Sequence, residues 1–458
     1  MNATDTPHAP NAPEHEVELS FSQEFLCMFA GEGEVGPFGP MYHVVRGWRL
    51  HGEVDIDTLR AALGDVVTHH EALRTSIVRE GGGGYQRILP PSPPDLLVRD
   101  LDGAPENREE QVEEFLNEVE SFQHSVRDIP LLRAALGRFD DRDAVLALLV
   151  HHTVADGWSL LLIMRDLAAC YAARRGYGGP DLPEMRQYRE YAKWQRDTVT
   201  EETTAGPREY WRAKLQGAQM LPLPTDRAEP DTALGSTATH RFLIDPELTA
   251  ATLRFAVAAR SSPFMVLLAA YNLLLWKRTG TPDVVVPTIS SGRGDARFEN
   301  TVGPFFNFIP LRTDLTECQT LRDVVLRSRS TCLEAQTNDI PFAKILAEAP
   351  DIMAPAAQPG VAVSAIQVFQ HPFTMEAETV GDVQYSEVRK RLLSQSVSSD
   401  IPNGVLWTLD IDSSQGMFGN IKFNKGEYDD STIGEMVEQF REILRTLVTD
   451  PDASIKEV

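Results

Sequence analysis

One stretch, AVLALLVHHTVADGWSLLLIMRDL (residues 144–167), constrains the fold more than any other. Its opening residues are apolar without a break, and so short a run ending in histidine has the signature of a strand buried on both faces. Beyond Gly157 the pattern becomes that of a buried helix closed by Gly176. His151, His152, Asp156 and Gly157 stand between the two. Successive strand side chains face opposite ways, so the histidines do not easily hold one metal ion, and no metal site is expected. His151 is expected to face away and pack as a structural histidine. An imidazole, with an ordinary pKa of about 6.5, can act as a base at neutral pH. The first amides of a helix lack intrahelical partners and carry partial positive charge. Gly157 stands where backbone must pass tightly or take positive φ, and such a turn can receive a carbonyl oxygen that gains negative charge. Asp156 can orient a histidine, or pair with an arginine and hold the loop in shape. The junction suits acyl transfer with no serine or cysteine nucleophile. No GxSxG lies near it, and no Walker loop or HExxH occurs anywhere.

Strand-like and helix-like segments alternate through both halves, so the fold class is α/β (α+β) with two lobes. The chain of 458 residues is long enough for this. Residues 1–17, rich in Pro, Ala and Asn, read as a disordered tail and not as a signal peptide. Residues 18–180 form the N-terminal lobe carrying the histidine junction, RRGYGGPDLPEM is the linker, and 181–458 form the C-terminal lobe. Glu106–Glu120 reads as a solvated helix, and Leu253–Trp276 as two helices. A terminal amphipathic helix presents Ile433, Met436, Phe440, Ile443 and Leu444. Acidic residues exceed basic ones by 67 to 43, which argues against nucleic acid as a partner. No apolar run is long enough to span a membrane. The four cysteines form no CxxC pair, and reduced thiols fit a cytoplasmic enzyme.

HHTVADG fits HHxxxDG, the motif of the superfamily that includes chloramphenicol acetyltransferase and the condensation domains of nonribosomal peptide synthetases. Further segments resemble condensation domains in particular, in the same order along the chain. LSFSQEFLCMF (Leu19–Phe29) resembles their opening S-x-x-Q segment. HHEALRTSI (His69–Ile77) resembles R-H-E-x-L-R-T, with His69 in place of the first arginine. YREYAKWQ (Tyr188–Gln195) resembles Y-x-D-[FY]-A-x-W-Q, with Glu190 for the usual aspartate. LPLPTDR (Leu221–Arg227), VGPFFNFIPLR (Val302–Arg312) and NDIPFAKI (Asn338–Ile345) resemble later motifs.

The resemblance implies a pseudodimer of two acetyltransferase-like lobes in a V, with the histidine motif at the floor of a tunnel between them. An acyl-loaded peptidyl carrier protein would present its thioester on a phosphopantetheine arm from one side, and a small-molecule or carrier-bound acceptor would enter from the other. No covalently bound cofactor is implied. His152 matches the family's catalytic histidine, and Asp156 is expected to form a structural ion pair with Arg74. Asn307 either satisfies a crossover loop or lines the tunnel, and Ser290 and Ser364 are candidate tunnel residues. Arg389-Lys390-Arg391 and Arg174-Arg175 are either solvated charge or a docking patch for an acidic carrier. The chain resembles a free-standing condensation enzyme. Ester formation with an alcohol is slightly favoured over amide formation, as in enediyne antibiotic biosynthesis. The alternatives are a coenzyme A-dependent acyltransferase of the same superfamily and a non-catalytic recruitment module.

Overall fold

The apolar run folds as β7 (Asp143–His151), and every residue of it after Asp143 is buried. A computed structural model describes residues 16–80, 83–178, 182–231, 235–370, 375–401 and 404–457. In it, β7 lies inside a six-stranded sheet with β2 (His43–His51), β5 (Leu96–Asp100), β6 (Leu132–Asp140), β13 (Glu378–Val380) and β14 (Val383–Glu387), in the order β13–β14–β2–β7–β6–β5. Val145, Ala147 and Leu149 pack on one face against Val112, Phe115, Leu116 and Val119 of α3 (Arg108–Glu120). Leu146, Leu148 and Val150 belong to the opposite core, with α2 (Ile56–His69) and α4 (Gly157–Arg174). Because side chains alternate, both faces of β7 must be apolar, which is why its sequence reads as a continuous run. α3 is therefore not a solvated helix: one face is core, and Glu120 at its end is itself buried.

The second sheet has seven strands: β8 (Pro222–Pro224), β9 (Thr237–Ile244), β10 (Asp283–Ser290), β11 (Asn307–Asp314), β12 (Val361–Phe369), β15 (Val405–Asp412) and β16 (Gly416–Asn424). Its main path runs β11–β10–β12–β15–β16–β9, with β8 paired to β12. The expected helix pair is α7 (Pro246–Ala258) and α8 (Pro263–Thr279). α8 is apolar all round because it contacts the sheet, α7, α9 (Leu321–Thr337) and α11 (Asp430–Thr449) together. The apolar face expected of α11 is buried. A small sheet, β1 (Val17–Glu18), β4 (Gly83–Ile88) and β3 (Thr75–Glu80), completes the strands among the described residues. The remaining α-helices described are α1 (Phe21–Met28), α5 (Tyr188–Thr198), α6 (Glu201–Lys214) and α10 (Phe342–Glu348). No single helix among the described residues is long and apolar enough to cross a membrane.

Two boundaries depart from expectation. Val17 pairs with Gln86 in the small sheet, so structure starts inside the segment read as a tail, of which residues 1–15 lie outside the described residues. A division at residue 180 also fails to separate the cores. β14 pairs with β2, and Met375, Val383, Tyr385, Tyr188, Tyr191 and Phe305 pack in the same core as β7 and α4. Without β14, β2 would be an unpaired edge, and the chain returns to cover it. In the expected linker, α4 persists to Arg174, and residues 179–181 lie outside the described residues.

Candidate active site

The parity of β7 separates the two histidines. His151 is fully buried, with Nδ1 at 2.9 Å from the Thr153 hydroxyl and Nε2 donating to the Gly39 carbonyl at 3.0 Å. Burial lowers it to about 3, so it is neutral at pH 7. His152 points the other way. Its Nδ1 lies 2.8 Å from the Ala155 carbonyl, which can only accept, so Nδ1 carries the proton and Nε2 keeps its lone pair. Its backbone N–H donates to the Tyr42 carbonyl at 2.9 Å. The Tyr42 ring stacks on the imidazole at 5.2 Å, and Phe306 meets it edge-on at 6.3 Å. Burial lowers the His152 pKa below 6.5, and the Ala155 hydrogen bond and Asp156 only partly oppose this. A neutral imidazole with a fixed tautomer is a ready proton acceptor.

Asp156 caps α4, accepting from the Ser159 N–H at 2.7 Å and the Ser159 hydroxyl at 2.6 Å. Its ion-pair partner is Arg293, not Arg74. Arg293 Nη2 reaches Oδ1 at 3.0 Å and Oδ2 at 3.1 Å, and its side chain is 3% exposed. Arg74 is engaged elsewhere, its Nη1 on the Leu89 carbonyl at 2.5 Å and its Nη2 3.9 Å from Glu71. Arg293 also donates to the Thr301 carbonyl and lies 4.0 Å over the Phe305 ring. Ser159 extends the contact, taking the Gly303 N–H at 3.1 Å. Gly303 has to be glycine, since a Cβ there would sit 1.9 Å from the Tyr188 ring. The motif aspartate thus ties the start of α4 to the loop leading into β11. Asp156→Asn keeps an oxygen for the cap but strands the buried guanidinium, with an expected cost of about 1.5–3 kcal/mol. A lowered unfolding midpoint with turnover per folded molecule largely kept is the expected result. An unchanged midpoint with lost turnover would give Asp156 a direct catalytic role.

Gly157 is the first residue of α4, but not for the reason expected. It is absent from the glycines with positive φ, and a Cβ there would meet only the Arg46 guanidinium, at 3.6 Å. Its amide has no partner inside the helix, by its position. Asn307 pins a loop, donating to Asp339 and the Ile340 carbonyl and accepting from the Phe342 N–H. Ser364 bonds the Tyr271 hydroxyl of α8, on the helix side of its sheet. Ser290 ends β10 opposite Asn307. Arg389 is paired with Asp410 and Asp412, Arg391 with Glu120, Arg174 with Asp65 and Arg175 with Asp55. Arg174 and Arg175 are thus surface charge paired on the surface, and Arg389 and Arg391 are held in more buried ion pairs.

Arg293, Tyr42, Ser159 and Glu120 are structurally central and went unassigned from sequence. The Ser-Gly-Arg-Gly run after β10 is the one local sign of Arg293. Glu120 links the lobes. Its oxygens lie 3.0 Å from Arg241, Arg391 and Lys422 alike, and its carbonyl accepts from His43 Nε2 at 2.9 Å.

These features define a two-lobed acetyltransferase-like protein with HHxxxDG at the lobe junction, and the chain belongs to the condensation-domain family. The Condensation domain family model matches residues 14–458. A linear gramicidin synthase protein of Brevibacillus parabrevis is 31% identical over 99% of this chain, which spans 6% of that synthase. Phosphinothricin tripeptide synthetase PhsC of Streptomyces viridochromogenes is 30% identical over 97% of this chain, which spans 40% of it. The crystal structure of SgcC5 from Streptomyces globisporus is 49% identical, with a TM-score of 0.91 over 95% of this chain and 100% of its own. It was solved in complex with (R)-(-)-1-(2-naphthyl)-1,2-ethanediol and sucrose. The X-domain from teicoplanin biosynthesis, 24% identical at a TM-score of 0.78, shares the fold.

Proposed function

We propose that this chain transfers an acyl group from the phosphopantetheine thioester of a peptidyl carrier protein to a hydroxyl of its acceptor, forming an ester. The observation that carries the reading is the lone pair on His152 Nε2, set by the Nδ1–H bond to Ala155. His152 takes the acceptor's proton as its oxygen attacks the thioester carbonyl. The Gly157 amide, at the positive end of α4, steadies the oxyanion. The C–S bond then breaks, and the proton passes from His152 to the departing thiolate. An ester and a free thiol result, without ATP or a metal.

The choice of alcohol over amine rests on the SgcC5 complex. The ligand bound there offers two hydroxyls and no amine. A hydroxyl is also the acceptor that most needs a base, since a neutral amine already presents a lone pair. The test is acyl release from a loaded carrier, followed by intact-protein mass spectrometry, with matched 1,2-diol and 2-amino alcohol acceptors. Ester product from the diol is expected. Amide product alone would replace the ester reading, and release from soluble acyl-coenzyme A at equal rate would replace the carrier.

A further inference from the structure

We infer that Tyr42 is a positioning residue for His152, holding its π-face against the imidazole so that the ring is stabilised when it takes the acceptor's proton. The inference rests on the base role proposed above for His152. Tyr42 is 6% exposed, and its ring lies 5.2 Å from the His152 ring at an interplanar angle of 24°, an offset stack. The same residue's carbonyl takes the His152 N–H at 2.9 Å, so backbone and ring together fix where the imidazole sits. Burial holds the phenol above its ordinary value, so Tyr42 presents a neutral ring and not a phenolate.

The stack matters because the imidazole changes charge during the reaction. In the resting site it is neutral, and burial favours that form. In the transition state it becomes imidazolium, in a site where burial disfavours the charged form. An aromatic face within about 6 Å of a cation attracts it through the ring quadrupole, and more strongly when both are desolvated. Such an interaction is stronger in the transition state than in the ground state, which is the condition for raising kcat. The other groups acting on His152 are the Ala155 carbonyl and Asp156, which favour its charged form, and Lys422 of β16, which opposes it. The neighbouring His151 is neutral. Phe306 also meets the imidazole, but edge-on at 6.3 Å, so Tyr42 is the aromatic ring stacked face to face on it.

The experiment compares Tyr42→Phe, Tyr42→Trp and Tyr42→Leu in the full-length chain. Phe and Trp keep an aromatic face, and Leu removes it while filling much of the space. For Leu, kcat should fall about 10-fold and the acid limb of kcat/KM should move down by about half to one pH unit, with KM for the loaded carrier little changed. Phe and Trp should stay within about 3-fold of wild type, with the acid limb in place. A purely structural role predicts the opposite sign. Loosened packing admits water, which relieves the desolvation that depresses the imidazole and moves the limb up. NMR titration of His152 in the substrate-free protein reads the same shift without turnover, so it stands even if the acyl-transfer reading fails. An upward shift in Leu, no shift, or a Phe variant as impaired as Leu would each overturn the inference.

Discussion

His152→Ala is expected to lower ester formation by about 10²–10⁴-fold, or about 3–5 kcal/mol of barrier, while leaving the unfolding midpoint near wild type. The imidazole makes one side-chain hydrogen bond, to Ala155, and is only partly buried, so its loss costs little packing. With an amine acceptor the loss should be smaller by at least about 10-fold, because the attacking lone pair is already available. Equal losses with both acceptors would assign His152 to orientation alone. The pH profile gives a second reading. A base must be unprotonated to work, and burial sets His152 below 6.5. The acid limb of kcat/KM should therefore lie below pH 6.5, and a limb at or above it would show that another group takes the proton.

Glu120→Gln is expected to give a large stability loss for a single charge change. The carboxylate is 5% exposed and faces Arg241 of β9, Lys422 of β16 and Arg391. Removing it leaves three cations gathered at the lobe junction without the carboxylate they share, with Glu113 acting on Arg391 and Asp400 on Lys422 from further off. Breaking a buried ion pair on one side costs about 3–5 kcal/mol. Burial alone would raise the Glu120 pKa, but the three cations reverse this and hold it well below 4.5. Burial and Arg241 pull Arg391 down to about 10, which still leaves it protonated at neutral pH. For a carboxyl depressed in the folded state, the stabilisation is present above its unfolded pKa and lost as pH falls through the folded one. The gap between wild type and variant should be full at pH 7 and close only below about pH 4.5. Thermal unfolding across that range tests it. An unchanged midpoint at pH 7 would mean the three cations are compensated by other groups. Because Lys422 also opposes protonation of His152, the Gln variant should shift the acid limb further down.

Local patterns carried much of this structure. The continuous apolar run of β7 announced a strand buried on both faces, and the Asp-Gly step after it announced the start of α4. The period of the last helix placed Ile433, Met436, Phe440, Ile443 and Leu444 in the core, where they lie. In each case the signal is a spacing within one element, set by that element's own geometry. Pairing across the chain was not legible in the same way. Arg74 and Arg293 both stand beside apolar segments, and no local pattern says which of them pairs with Asp156. Only the fold brings Arg293 to Asp156, 137 positions away, and leaves Arg74 on the Leu89 carbonyl. Glu120 lay in a segment read as solvated because acidic residues dominate it. Its burial depends on β9 and β16, more than a hundred positions later.

By itself the sequence determined the elements, their buried faces, the histidine junction and the family to which the motifs point. The tertiary structure decided which histidine keeps an open lone pair, which arginine holds Asp156, how residues 383–387 complete the first sheet, and that Tyr42 lies on the His152 ring. The division has a physical cause. Periodicity records the geometry of one element, whereas an ion pair, a sheet edge or a ring stack is settled by which distant surfaces compete to bury the same group.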